Sequence, residues 1–278
     1  MKSLFDHISL QCSIITTKAY STSFSLGIML LDRSIRGPIY AIYGFVRCAD
    51  EIVDSFHGYD KKALLDNFRR ETYQAIDERI SLNPILNAFQ AVVHRYKIRR
   101  AWIDIFLDSM EMDLMKRVYN ENSFREYILG SAEAVGLMCL HVFVDGDEEQ
   151  FLRLQPHAMR LGAAFQKVNF LRDVKKDHEE LGRMYFPGVD LRTFSVEQKQ
   201  EIEWEIESDF TEALKGIRLL PPGSRNGVYV AYRYYLRLFR KIRRLPPHRI
   251  LQGRIRIPNA LKLMELCMSS LRHQFNLL

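Results

Sequence analysis

An all-α fold is predicted for this 278-residue chain by three observations. Nearly every segment places its apolar residues at a helical period. No run alternates apolar and polar residues between turn signals, as a strand would. Helix caps and breakers recur at helix-length intervals. The predicted helices cover residues 8–19, 34–55, 60–79, 84–97, 100–119, 124–144, 148–179, 196–218, 225–244 and 256–275.

The chain start, Met1 to Gln11, holds Asp6 and His7 where a secretory leader needs an unbroken apolar core, so a cytoplasmic location is expected. No window reaches the roughly 18 apolar residues that cross a bilayer. Helix 34–55 is apolar around most of its circumference (Ile39, Tyr40, Ala41, Ile42, Phe45, Val46, Ile52, Val53), which predicts burial, acids included. Asn83 followed by Pro84 supplies a cap and a first-turn proline for helix 84–97. Ser123 with Glu126 and Ser195 with Gln198 fit capping boxes for helices 124–144 and 196–218. Pro187-Gly188 and Pro221-Pro222-Gly223 mark breaks.

With 47% hydrophobic and 27% charged residues, the composition is that of a folded globular protein. No linker or internal repeat divides the chain, so a single domain over 1–278 is expected. Cys12, Cys48, Cys139 and Cys267 are far apart and read as buried thiols, with neither a zinc site nor a disulfide framework. Charge is uneven. Between Glu212 and Glu265 stand thirteen Lys or Arg and no acid, a block that could be a solvated face or could hold phosphates, anionic lipid or nucleic acid.

The chemistry is carried by two helices. On 34–55, Asp50 and Asp54 are four residues apart and share a face, which Arg47 and Tyr43 continue toward the N-terminus. On 148–179 the corresponding stripe is Gln166, Asn169, Asp173 and Asp177. Acids four apart are common on solvated faces, and either pair alone is weak evidence. Two matching pairs among apolar residues are stronger, because burying unpaired carboxylates is costly and a cation between them removes the cost. Carboxylates and an amide oxygen are hard donors, which favours Mg²⁺, with Mn²⁺ an alternative, over zinc.

Arg47-Cys-Ala-Asp50-Glu51-Ile-Val-Asp54 resembles the first aspartate-rich motif of the squalene and phytoene synthase family of trans-isoprenoid synthases, and Gln166 through Asp177 resembles the second. Ser21-Thr-Ser23-Phe24-Ser, Tyr127 with Gly130 to Gly136, Gly182-Arg183-Met-Tyr185-Phe-Pro187 and Tyr235 follow in the family's order over almost the whole chain. The resemblance implies an isoprenoid-synthase-type helical bundle around a central cavity. It implies head-to-head condensation of two allylic prenyl diphosphates through a cyclopropylcarbinyl diphosphate. Metal roles fall on Asp50, Asp54, Asp173 and Asp177, with Asn169 a further ligand or an ordered neighbour. Diphosphate contacts fall on Ser21, Arg47, Arg172, Tyr235 and Arg254, while Tyr43 and Gln166 line the site. Glu51 stands where many members carry Asp. Phe24, Phe45, Phe165 and Phe170 are expected as core packing.

Within the family, the run Gly130 to Leu140 is closer to phytoene synthases, which use two geranylgeranyl diphosphates in carotenoid biosynthesis without NADPH. The alternative is a squalene or dehydrosqualene synthase using farnesyl diphosphate. A non-enzymatic helical module gripping nucleic acid or membrane through the basic block is a remote reading that leaves both acid pairs unexplained. Nucleic acid is therefore not expected as a partner, whereas peripheral contact with anionic membrane is compatible with an enzyme whose product is a hydrocarbon.

Overall fold

The computed structural model describes residues 1–115, 118–189 and 194–257. Its elements are α1 (Lys2–Tyr20), α2 (Thr22–Met29), α3 (Arg33–Asp54), α4 (Lys61–Glu78), α5 (Pro84–Tyr96) and α6 (Arg100–Met115), then α7 (Glu121–Ile128), which runs through a π-helical turn (Leu129–Glu133) into α8 (Ala134–Phe143). There follow α9 (Glu148–Glu179), α10 (Val196–Leu219), α11 (Pro222–Arg243) and the short α12 (Pro247–Ile250). Among the described residues the only β feature is an isolated bridge between Val118 and Met184. The all-α expectation holds.

Several boundaries differ from expectation for local reasons. The chain restarts at Ser21, whose extended backbone (φ −146°) ends α1 and whose hydroxyl accepts from the Phe24 amide to begin α2, a helix not predicted. The cap of α7 is Asn120, paired reciprocally with Ser123, so the helix begins a turn before the box assigned to Ser123 and Glu126. The Asn83-Pro84 start and the Ser195–Gln198 box are as expected. Pro222 is a first-turn proline of α11, which the sequence had placed three residues later. The predicted helix 256–275 lies, beyond its first two positions, outside the described residues, as does Cys267.

The two larger of three apolar clusters among the described residues organise the helices. One is centred on α3, where Phe45 is fully buried and stacks on Phe89 of α5 at 3.9 Å between ring centroids, with Phe68 and Phe106 alongside. The other joins α9, α10 and α11 through Val168, Leu171, Phe210, Leu238 and Phe239. Glycines set the closest approaches between α6, the π turn and α9. A Cβ on Gly130 would lie 2.5 Å from the Ile105 carbonyl, and one on Gly162 would lie 2.7 Å from that of Ala132. The helix Glu121–Phe143 is long and apolar enough to cross a bilayer, contrary to the reading of the sequence. Here half of it is buried, and Leu137, Met138 and Val142 are core residues.

Candidate active site

Asp50 and Asp54 on α3 and Asp173 and Asp177 on α9 line one cavity of about 930 Å³. The i,i+4 spacing puts each pair on one helix face, and the packing turns the two faces toward the same space. Burial, reinforced by the charge of Asp54, pushes the Asp50 carboxyl up to about 7. Burial and then Asp173 raise Asp177 to about 7 as well. The other acid of each pair is held by arginine. Arg183 donates to Asp54 at 2.8 Å. Arg172 donates to Asp173 at 2.5 Å, and the Arg254 Nε stands 2.9 Å from the same carboxylate.

Among the described residues no three acid, histidine or cysteine side chains converge as a preformed metal cluster. The donors nevertheless fit a hard divalent cation. All four are carboxylates, and two of them carry a desolvation cost that a cation would relieve. Arg47, 3.9 Å from Asp50, is too far to do so by hydrogen bonding.

The Arg47 guanidinium bonds the Glu51 carboxylate and lies over the Tyr20 ring, 4.2 Å from its centroid. Burial works to raise Glu51, but hydrogen bonds from Arg47, Ser55 and Tyr20 outweigh it and hold the carboxyl low. The arm that is one methylene longer than aspartate thus reaches the arginine, and Glu51 does not line the cavity. Ser21 bonds Tyr43, whose phenol burial pushes up to about 12.

On α9 the Asn169 amide donates to Gln166 at 3.3 Å, and its carbonyl accepts from Tyr235 of α11 at 3.2 Å. The Tyr235 ring stacks on Phe165 at 3.9 Å. All twelve residues assigned from sequence, Ser21, Tyr43, Arg47, Asp50, Asp54, Gln166, Asn169, Arg172, Asp173, Asp177, Tyr235 and Arg254, therefore line one cavity. Phe45 and Phe170 are core as expected, Phe170 also touching the cavity, whereas Phe24 and Phe165 are partly buried cavity wall packed against the second cluster. Cys139 is also at the wall, its thiol raised to about 12 by burial.

Sequence reasoning gave no role to a buried network beside Asp54. Asp113 of α6 accepts hydrogen bonds from Tyr127 at 2.7 Å and from Tyr119 and Tyr185 at 3.2 Å. Arg183 lies 3.5 Å from its second oxygen and also donates to the Asp113 carbonyl at 3.2 Å. Burial outweighs the arginine and raises Asp113 to about 6. The Gly182-Arg183-Met-Tyr185 motif flagged one side of this network, but nothing local to α6 distinguishes Asp113.

The basic block is not one solvated face. Arg254 and Arg256 line the cavity, Arg243 pairs with Glu207 at 3.0 Å, and Lys241 donates to the Arg256 carbonyl at 2.6 Å.

Comparison with known proteins shows the family and the fold. Residues 17–260 match the squalene/phytoene synthase family. The chain is 26% identical to the phytoene synthase of Arthrospira platensis, over 92% of this chain and 90% of that protein. It is 32% identical to the presqualene diphosphate synthase of Zymomonas mobilis, over 64% of this chain and 60% of that protein. It is 26% identical to the bifunctional lycopene cyclase/phytoene synthase of Blakeslea trispora, over 84% of this chain but only 44% of that protein. The chain thus spans under two thirds of the last two. A crystal structure of a dehydrosqualene synthase superposes with a TM-score of 0.80 at 21% identity, covering 96% of this chain and 97% of that one, which shows the fold. With the family matched over residues 17–260, the chain belongs to the squalene/phytoene synthase family, a family of prenyltransferases.

Proposed function

We propose that the protein is a magnesium-dependent prenyl synthase that joins two allylic diphosphates head to head, and that its substrates are two geranylgeranyl diphosphates, giving phytoene for carotenoid biosynthesis. One observation carries the reading: two acid pairs on separate helices share a cavity lined by Phe24, Phe165, Phe170 and Tyr235.

Asp50, Asp54, Asp173 and Asp177 would hold Mg²⁺, which supplies Lewis-acid stabilisation of the departing diphosphate. Arg47, Arg172 and Arg254 hold diphosphate oxygens, with Ser21 and Tyr235 as hydroxyl donors. Tyr43, Gln166 and Asn169 keep that end ordered through the bonds described above. The C1–O bond of one substrate breaks, and its electron pair leaves with the diphosphate. The 2,3 double bond of the second substrate attacks C1, and loss of a proton closes the cyclopropane. A second ionisation, rearrangement and proton loss complete the hydrocarbon. The aromatic wall excludes water from the cationic stages.

A second reading is favoured by the names of two relatives, the presqualene diphosphate synthase above and the 4,4'-diapophytoene synthase of Staphylococcus haemolyticus, 26% identical over 69% of this chain. In that reading the cavity takes farnesyl diphosphate. Purified protein is incubated with farnesyl or geranylgeranyl diphosphate, with Mg²⁺ or EDTA and with or without NADPH, and products are read by mass. A Mg²⁺-dependent C40 product without NADPH supports the proposal, a C30 product moves it to the second reading, and no product from either refutes it. A cytoplasmic enzyme touching anionic lipid through Lys and Arg of the basic block is part of the same proposal, and vesicle flotation without preference for anionic lipid would count against that part.

A further inference from the structure

The end of the cavity remote from the aspartates is walled by Leu140 and Phe143 of α8, Leu154 and His157 of α9, Gly216 of α10 and Leu220 just after α10. His157 is the polar member of this group and it is tightly fixed. Its Nδ1 stands 3.1 Å from both the Glu212 carbonyl and the Glu212 carboxylate. Neither oxygen can donate, so Nδ1 carries the proton and the ring orientation follows. One turn along α10, Gly216 makes room for the imidazole: a Cβ there would fall 2.2 Å from the His157 Cβ and 2.8 Å from its Cγ. The ring therefore bridges α9 and α10 with one edge on the cavity and the other on a surface glutamate.

The position along α9 gives this feature a length. His157 lies sixteen residues before Asp173 on the same helix, a rise of about 24 Å at 1.5 Å per residue. Carbon–carbon bonds of about 1.5 Å advance an extended chain roughly 1.25 Å each, so a C15 prenyl backbone spans about 14 Å, a C20 backbone about 19 Å and a C25 backbone about 24 Å. With roughly 5 Å for the diphosphate, the C20 chain ends at the imidazole, the C15 chain falls short and the C25 chain collides.

We propose that His157, fixed by Glu212 and seated against Gly216, is the stop that limits the tail of the prenyl diphosphate lying along α9. The inference rests on the synthase reading above and adds to it the residue that sets chain length.

The test is binding of non-ionising prenyl thiodiphosphates of C15, C20 and C25 to the full chain with Mg²⁺, by calorimetry, beside product ratios from mixed substrates. The wild type is expected to favour C20. His157→Ala is expected to shift the C25-to-C20 ratio about tenfold toward C25, and His157→Trp to shift preference about tenfold toward C15, the discrimination that a few methylenes at an apolar wall supply. Leu154→Phe, on the same wall, should also move preference toward C15 and serves if a His157 variant does not fold. Folded variants that bind tightly with the wild-type ranking overturn the stop alone. A wild type that binds none of the three analogues overturns the synthase reading and the stop with it.

Discussion

Asp50→Asn should stabilise the metal-free protein while abolishing turnover. The Asp50 carboxyl is displaced from an ordinary 3.8 to about 7, chiefly by burial and then by Asp54. A group whose folded value lies above its unfolded value binds more protons in the native state between the two, so native stability falls as pH rises from about 4 to about 7. At about 1.4 kcal/mol per tenfold change in proton affinity, the upper bound of this cost is about 4 kcal/mol. The side chain is 35% open to cavity water, and screening brings the expected figure to about 1–2 kcal/mol. Asparagine keeps the shape and removes the charge. In EDTA, urea unfolding should therefore show the variant equal to wild type near pH 4 and about 1–2 kcal/mol more stable at pH 8. With Mg²⁺ and prenyl diphosphate the order should reverse, because wild type alone gains the ligand's stabilisation. A variant less stable than wild type at pH 8 in EDTA would refute the reasoning.

Other outcomes follow from the same structure. Asp113→Ala takes the acceptor from three tyrosine hydroxyls and removes one of the two carboxylates around Arg183, which should cost about 3–5 kcal/mol in urea unfolding, with Asp113→Asn costing less because it keeps an acceptor. Burial raises Glu133 to about 7 against the pull of Arg160. Glu133→Gln should thus add about 1–2 kcal/mol at pH 8 and nothing near pH 4, and equal gains at both would sink the assignment. Mg²⁺ and inorganic pyrophosphate should each bind at least about tenfold more tightly in the presence of the other, by calorimetry. Independent binding would contradict the charge balance around the cavity.

What the sequence revealed was what lies within one turn of a helix. The two acid pairs were visible because i,i+4 spacing alone puts carboxylates on one face, and the amide stripe Gln166–Asn169 followed from the same geometry. The Ser195 box and the Asn83-Pro84 start were visible for the same reason. Asp113 was not, because its partners come from Tyr127, Tyr185 and Arg183, the last seventy residues away. The family motif marks Ser21 as a hydroxyl near the site but not as the cap dividing α1 from α2, since that role depends on its extended backbone. The engagement of Glu51 with Arg47 depends on side-chain conformation, which the motif alone does not specify. The length of the cavity depends on His157 meeting Gly216 across two helices, which no local pattern encodes.

The arrangement of charge around the cavity has a direction. Asp50, Asp54, Asp173 and Asp177 face Arg172, Arg183 and Arg254, while Arg47 is engaged with Glu51. Each acid pair thus has one member neutralised by arginine and one left with a raised proton affinity. A bare dication would be drawn to the aspartates but repelled by the arginines that already occupy Asp54 and Asp173. A bare diphosphate would meet the opposite conflict. On the proposed function, a cation would take carboxylates and the diphosphate would take the guanidinium groups released from them, so each ion would remove the repulsion that opposes the other. The same exchange ties the chemistry to the scaffold. Arg183 is anchored at its other end by Asp113 and by the backbone of α3 and α6, so releasing Asp54 does not leave the guanidinium unpaired in the interior, where an unpaired charge is costly.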